Sequence, residues 1–161
     1  MTDPTTVEES PTVRSAPAWV VVATGILALI GLGISIYLTI THFEPQALAC
    51  NTGFFNCVKV TTSAQSAILG VPVAVVGLGY FLVVVPLASP WAWRSNDRRL
   101  HMARLVVACM GMAFVLWLIT AELLIIDGFC EWCTGVHIVT FLLFVLTVTT
   151  VPNMLSGNSE S

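Results

Sequence analysis

The sequence predicts an all-α integral membrane protein: a bundle of four transmembrane helices with a short interfacial helix in its first external loop. Three observations carry this. Of 161 residues, 57% are apolar and only 9% charged, with a mean hydropathy of +0.90, far outside the composition of soluble domains. Four uncharged stretches, 15–43, 60–93, 105–121 and 132–159, are each able to supply a spanning helix, which needs roughly 20 mainly apolar residues. The few basic residues also gather at the ends of these stretches rather than in a solvated cluster, which leaves nucleic-acid binding without support.

Residues 1–17 are acidic and rich in Pro, Thr and Ser, and read as a disordered tail. The first span is expected over about 18–41. The sequence "ALAC" ending at Cys50 resembles a lipoprotein cleavage box, but Ala47 stands where Leu is usual, Glu44 and Pro45 precede it, and the apolar run before it is longer than a signal core. The second stretch is too long for one crossing. Its polar start "TTSAQSAILG" is expected as the interfacial helix over 61–69, and Gly70 and Pro72 mark the start of a second span over about 71–89, with Pro72 tolerated in its first turn. A third span over about 104–126 reaches full length only by running through Glu122, which puts that carboxylate near a membrane face. The fourth is expected over about 131–151, giving a membrane domain of 18–152, and 153–161 read as a second tail. Gly25, Gly31, Gly33, Gly77, Gly79 and Gly111 are expected as close-packing points between spans.

Orientation follows from the basic residues. Arg14 precedes the first span, Arg94, Arg98, Arg99 and Arg104 lie in or beside the loop joining the second and third, and Lys59 falls elsewhere. The positive-inside rule then puts both termini in the cytoplasm of a multi-pass protein of the cell's inner or plasma membrane. Cys50, Cys57, Cys130 and Cys133 fall on the extracytoplasmic, oxidising side.

The chemistry is in those cysteines. "DGFCEWCTGVH" is not a c-type haem site, because Thr134 follows the second cysteine where His is required. A zinc site from all four is disfavoured by the wide gap between Cys50 and Cys57 and by an oxidising face; no metal is expected. A helix starting near Cys130 sets Cys130 and Cys133 on one face at its N-terminus, close enough to form a disulfide and favouring thiolate. A static staple is the weaker alternative, since so short a loop constrains the unfolded chain little. Cys50 and Cys57 can form a loop-closing disulfide, yet two pairs on one face can also exchange electrons through a mixed disulfide. Cys109, without a partner, is expected as a small core residue. Electrons reaching such a pair need an acceptor, and no haem ligation set, flavin motif or dinucleotide fingerprint is present. A lipid-soluble quinone, menaquinone or ubiquinone, suits the location. His137, four residues after Cys133 and so on the same helix face, is either a functional group at membrane depth or a histidine bonded to a backbone carbonyl.

The ordered set of Cys50 and Cys57, Ser63 six residues on, "ILGVPVAVVGLGYF" and "FCEWC" resembles the vitamin K epoxide reductase family, in particular its bacterial members, from the first span to the fourth. The resemblance implies a four-helix bundle around a quinone, with Cys130 and Cys133 as the catalytic couple and Cys50 and Cys57 as the shuttle. It implies that Cys50 meets a reduced thioredoxin-like protein, that Cys57 attacks Cys130, and that the released Cys133 reduces the quinone, supporting disulfide-bond formation. Ser63 matches the family's loop serine, with a positioning role; its alternative is a local turn or cap. The vertebrate enzymes carry tyrosine where His137 stands and asparagine near Ser66, so Ser66 and His137 are candidates for quinone contact without an intact transferred set. Some bacterial relatives carry a fused thioredoxin-like domain; this chain ends at Ser161, so the donor is expected to be a separate extracytoplasmic protein. The other bacterial quinone-linked disulfide generator has its CxxC in the first external loop, the reverse of the order here. A non-enzymatic tetraspanning protein with static disulfides is the remaining alternative.

Overall fold

The computed structural model describes residues 15–44, 67–68, 70–126 and 130–156. Five α-helices occur among them: α1 (Ala18–Phe43), α2 (Val73–Ala88), the short α3 (Pro90–Arg94), α4 (Arg98–Ala121) and α5 (Glu131–Ser156). A five-residue π-turn, Glu122–Ile126, continues α4. Three helices are long and apolar enough to cross a membrane; α2, with 16 residues, is shorter.

Each boundary has a local cause. Pro17 stands at the head of α1, where its missing N–H costs nothing. Two short strands, β1 (Ala67–Ile68) and β2 (Val71–Pro72), pair antiparallel before α2, and Gly70 turns between them with φ of 83°, a conformation that only glycine adopts freely. The interfacial helix expected over 61–69 therefore gives way to strand at Ala67–Ile68; positions 61–66 lie outside the described residues. Pro72 caps α2 rather than sitting within it. Pro86 cannot donate inside α2, which ends two residues later; Ser89 then caps α3 by accepting from the Ala92 amide at 3.3 Å. Asp97 accepts from the Arg99 amide at 2.8 Å and starts α4 at Arg98, earlier than the expected 104. α5 runs to Ser156, past the anticipated end.

Inward residues of α1 recur as Val20, Thr24, Ala28, Gly31, Ser35, Leu38 and Thr41, in steps of three or four along one face. Large apolar side chains such as Trp19, Val22, Ile26, Leu29 and Ile40 point outward, the polarity expected of a bundle whose solvent is lipid. α1 packs on α2 and α5, and α5 on α4, while α2 and α4 meet only sparsely. Close packing between α1 and α2 depends on Gly31: a Cβ there would collide with the ring of Phe81, which is wholly buried. Gly111 on α4 lies equally close under the Tyr80 ring, whereas Gly33 and Gly79 have open space. Packing thus requires two of the six glycines singled out in the sequence.

One end of the bundle is locked by a buried polar cluster. Arg104 donates through Nε and Nη2 to the Leu87 carbonyl at 3.1 and 2.7 Å, which satisfies the exposed C-terminal end of α2. Its Nη1 donates to His101 Nδ1 at 2.9 Å, and its guanidinium lies 3.7 Å over the Trp93 ring. An arginine has only donors, so His101 accepts at Nδ1 and its Nε2–H donates to the Ser95 carbonyl at 2.9 Å. Trp93 Nε1 in turn donates to Thr24 Oγ1 at 3.0 Å and ties α3 to α1.

Candidate active site

The opposite end of the bundle holds the dithiol. Cys130 is the residue before α5: its carbonyl accepts the Thr134 amide and hydroxyl, both at 2.9 Å, and its sulfur accepts the Cys133 amide at 3.4 Å. The sulfur thus takes the capping position that an oxygen usually fills, where helix amides favour negative charge. The Cys133 thiol also hydrogen-bonds the Cys130 sulfur. With the Cys133 and Trp132 amides, this holds the Cys130 thiol below the ordinary cysteine range, against the opposing effect of burial. Both cysteines are free thiols. The Trp132 ring packs against Tyr37 at a tilt of 50°, with centroids 4.6 Å apart, and fixes this end of α5 to α1.

The two thiols have different surroundings. Cys130 is wholly buried and does not border the bundle's main cavity; Cys133 does. That cavity, about 560 Å³, lies chiefly between α2 and α4, and its walls are mostly Val, Leu, Phe and Met side chains with the bare backbone of Gly77, Gly79 and Gly111. A handful of polar groups converge in it: His42, Tyr80, Glu122, Cys133, His137 and Thr140 among them. A largely apolar chamber with a few placed polar groups is the usual form of a small-molecule site. Its size suits an aromatic ring with an apolar tail.

Of the residues singled out in the sequence, Cys130, Cys133 and His137 come together here; His137 is buried and lines the cavity beside Cys133. It makes no hydrogen bond among the described residues, which removes the alternative of a histidine bonded to a backbone carbonyl there. Cys50, Cys57, Ser63 and Ser66 lie outside the described residues. Cys109, expected in the core, is instead exposed on the outer face of α4, next to buried Ala108. Sequence reasoning placed Glu122 only as the end of a span, yet it is buried at 6% exposure and lines the cavity. Its signal was a lone carboxylate within an apolar run. Among the described residues there is no group of metal-ligating side chains.

The vitamin K epoxide reductase family model matches residues 22–148, which reach from near the start of α1 into the second half of α5.

Proposed function

The chain belongs to the vitamin K epoxide reductase family, whose members are membrane thiol–disulfide oxidoreductases that reduce quinones, and from that premise we propose that it oxidises a separate thioredoxin-like protein and passes the electrons to a membrane quinone. Four crossings form the bundle, with α2 as the short one. At 1.5 Å per residue it covers about 24 Å of a hydrocarbon core of about 30 Å, and the hairpin before it and α3 after it complete the passage. The dithiol end faces the extracytoplasmic side and the Arg104 cluster faces the cytoplasm, as the arginines require.

One observation carries the reading: the two thiols of a single CxxC differ in access, Cys133 bordering the cavity and Cys130 enclosed behind it. An enclosed Cys130 is out of reach of a soluble protein, which supports an intramolecular carrier, and Cys50 and Cys57 are the cysteines available for it. The partner's thiolate attacks Cys50 and frees Cys57, which attacks Cys130 and frees Cys133. The partner's second thiol resolves the first mixed disulfide, and Cys50 then closes on Cys57, releasing Cys130. The Cys130–Cys133 dithiol next closes to a disulfide as two electrons and two protons pass to the quinone in the cavity. One partner dithiol and one quinone become one disulfide and one quinol. His137 contacts the quinone head from the cavity wall, and Ser63 and Ser66 position the loop or the ring.

The test is direct. Purified protein given dithiothreitol and a short-chain quinone should form quinol. Cys133→Ala should abolish quinol formation, and Cys109→Ala should retain it. A wild-type protein that leaves the quinone oxidised under these conditions contradicts the proposal.

A further inference from the structure

Among the described residues, Glu122 is the one carboxylate on the cavity wall. It is 6% exposed, and its side chain makes no hydrogen bond or ion pair among the described residues. With no protein partner among the described residues, the Glu122 carboxyl opens onto the cavity and is left to meet whatever occupies it. The backbone aims it. Glu122 opens the π-turn that continues α4, with its amide shared between the Leu118 and Ile119 carbonyls, and such local π insertions in α-helices frequently mark functional sites. Across the same cavity stand Cys133 and His137 of α5.

We infer that Glu122 is a catalytic proton relay between the Cys133 thiol and the quinone bound in the cavity. This inference rests on the quinone reading above. A neutral carboxylic acid has one oxygen that accepts and another that donates, so it can take a proton and give one without carrying net charge through an apolar chamber. As the Cys130–Cys133 S–S bond forms and two electrons move to the quinone, the Cys133 S–H proton passes to one Glu122 oxygen. The proton on the other oxygen passes to the quinone oxygen nearby. The Cys130 thiol proton reaches the second quinone oxygen, so dithiol and quinone become disulfide and quinol with no other reactant. His42, Tyr80 and His137 are the other titratable side chains on the cavity wall besides Cys133.

Glu122→Gln keeps the size and polarity of the side chain but cannot relay. In the dithiothreitol and short-chain quinone assay it is expected to lower kcat by about 100-fold, the scale of one positioned acid–base group, with KM for the quinone changed by less than about twofold. Oxidation of the reduced protein by excess oxidised dithiothreitol, which needs no quinone, should proceed at the wild-type rate. Glu122→Asp should recover part of kcat. A Glu122→Gln protein with wild-type kcat would overturn the relay while leaving the dithiol–quinone reading intact; a wild-type protein that reduces no quinone would remove both. Should Glu122→Gln fail to fold, the wild-type protein answers instead. An apolar carbodiimide, which attacks protonated carboxyls in apolar surroundings, should label Glu122 by peptide mapping, with protection by the short-chain quinone and loss of turnover in step with labelling. Labelling that the quinone does not block, or no labelling at Glu122, would equally overturn the relay.

Discussion

The backbone amide of Cys133 donates to the sulfur of Cys130 at 3.4 Å, so the first thiol of the pair also caps the helix that carries the second. Structural and redox roles of Cys130 are therefore separable by substitution. Cys130→Ser keeps an acceptor at the cap, while Cys130→Ala loses it at a cost of about 1 kcal/mol. Both should lack quinone turnover, and thermal unfolding in detergent should place the Ala variant below the Ser variant.

Gly31 and Gly33 form a matched pair on α1. A methyl at Gly31 collides with the buried Phe81 ring, whereas one at Gly33 meets nothing within 4 Å. Gly31→Ala should destabilise the bundle by about 1–3 kcal/mol through overpacking. Gly33→Ala should leave the unfolding midpoint unchanged or slightly raised, since alanine favours helix over glycine.

Arg104→Met should remove the donors that serve the Leu87 carbonyl and His101 Nδ1 and leave both acceptors buried. The expected loss is about 2–3 kcal/mol, the range for a charged hydrogen bond and the acceptor it leaves unsatisfied. Because this cluster and the dithiol sit at opposite ends of the bundle, KM for the quinone in the folded fraction should stay at the wild-type value.

The local arrangement of Cys130, Cys133 and His137 was legible in the sequence because it depends on helix geometry alone. A spacing of three sets Cys130 and Cys133 together at a helix start, and a further four brings His137 to the same wall, whatever the rest of the chain does. Features made by tertiary contact were not legible. Arg104 marks a cytoplasmic flank in sequence, and only the approach of Trp93 and the end of α2 shows that it is buried. Cys109 was misplaced for a physical reason: a helix apolar all round carries no periodic signal to tell its lipid face from its packed face. The hairpin at Ala67–Ile68 and Val71–Pro72 replaced the end of an expected helix because Gly70 turns with positive φ, a choice that glycine permits but does not announce.

The proposed orientation is checked from the far side. A membrane-impermeant thiol reagent applied to reduced intact cells should label Cys50 or Cys57, whereas a Ser95→Cys thiol in the loop between α3 and α4 should stay unlabelled until the membrane is opened. The opposite pattern would reverse inside and outside.

The relay itself is tested most directly by mapping disulfides in Cys133→Ala. Without Cys133 to resolve it, Cys130 attacks the Cys50–Cys57 bridge at Cys57 and the mixed disulfide persists. Peptide mapping under non-reducing conditions should therefore recover a Cys57–Cys130 linkage as the accumulated species. A Cys133→Ala protein whose sole linkage is Cys50–Cys57, with Cys130 free, would contradict transfer from the loop pair to the helix pair.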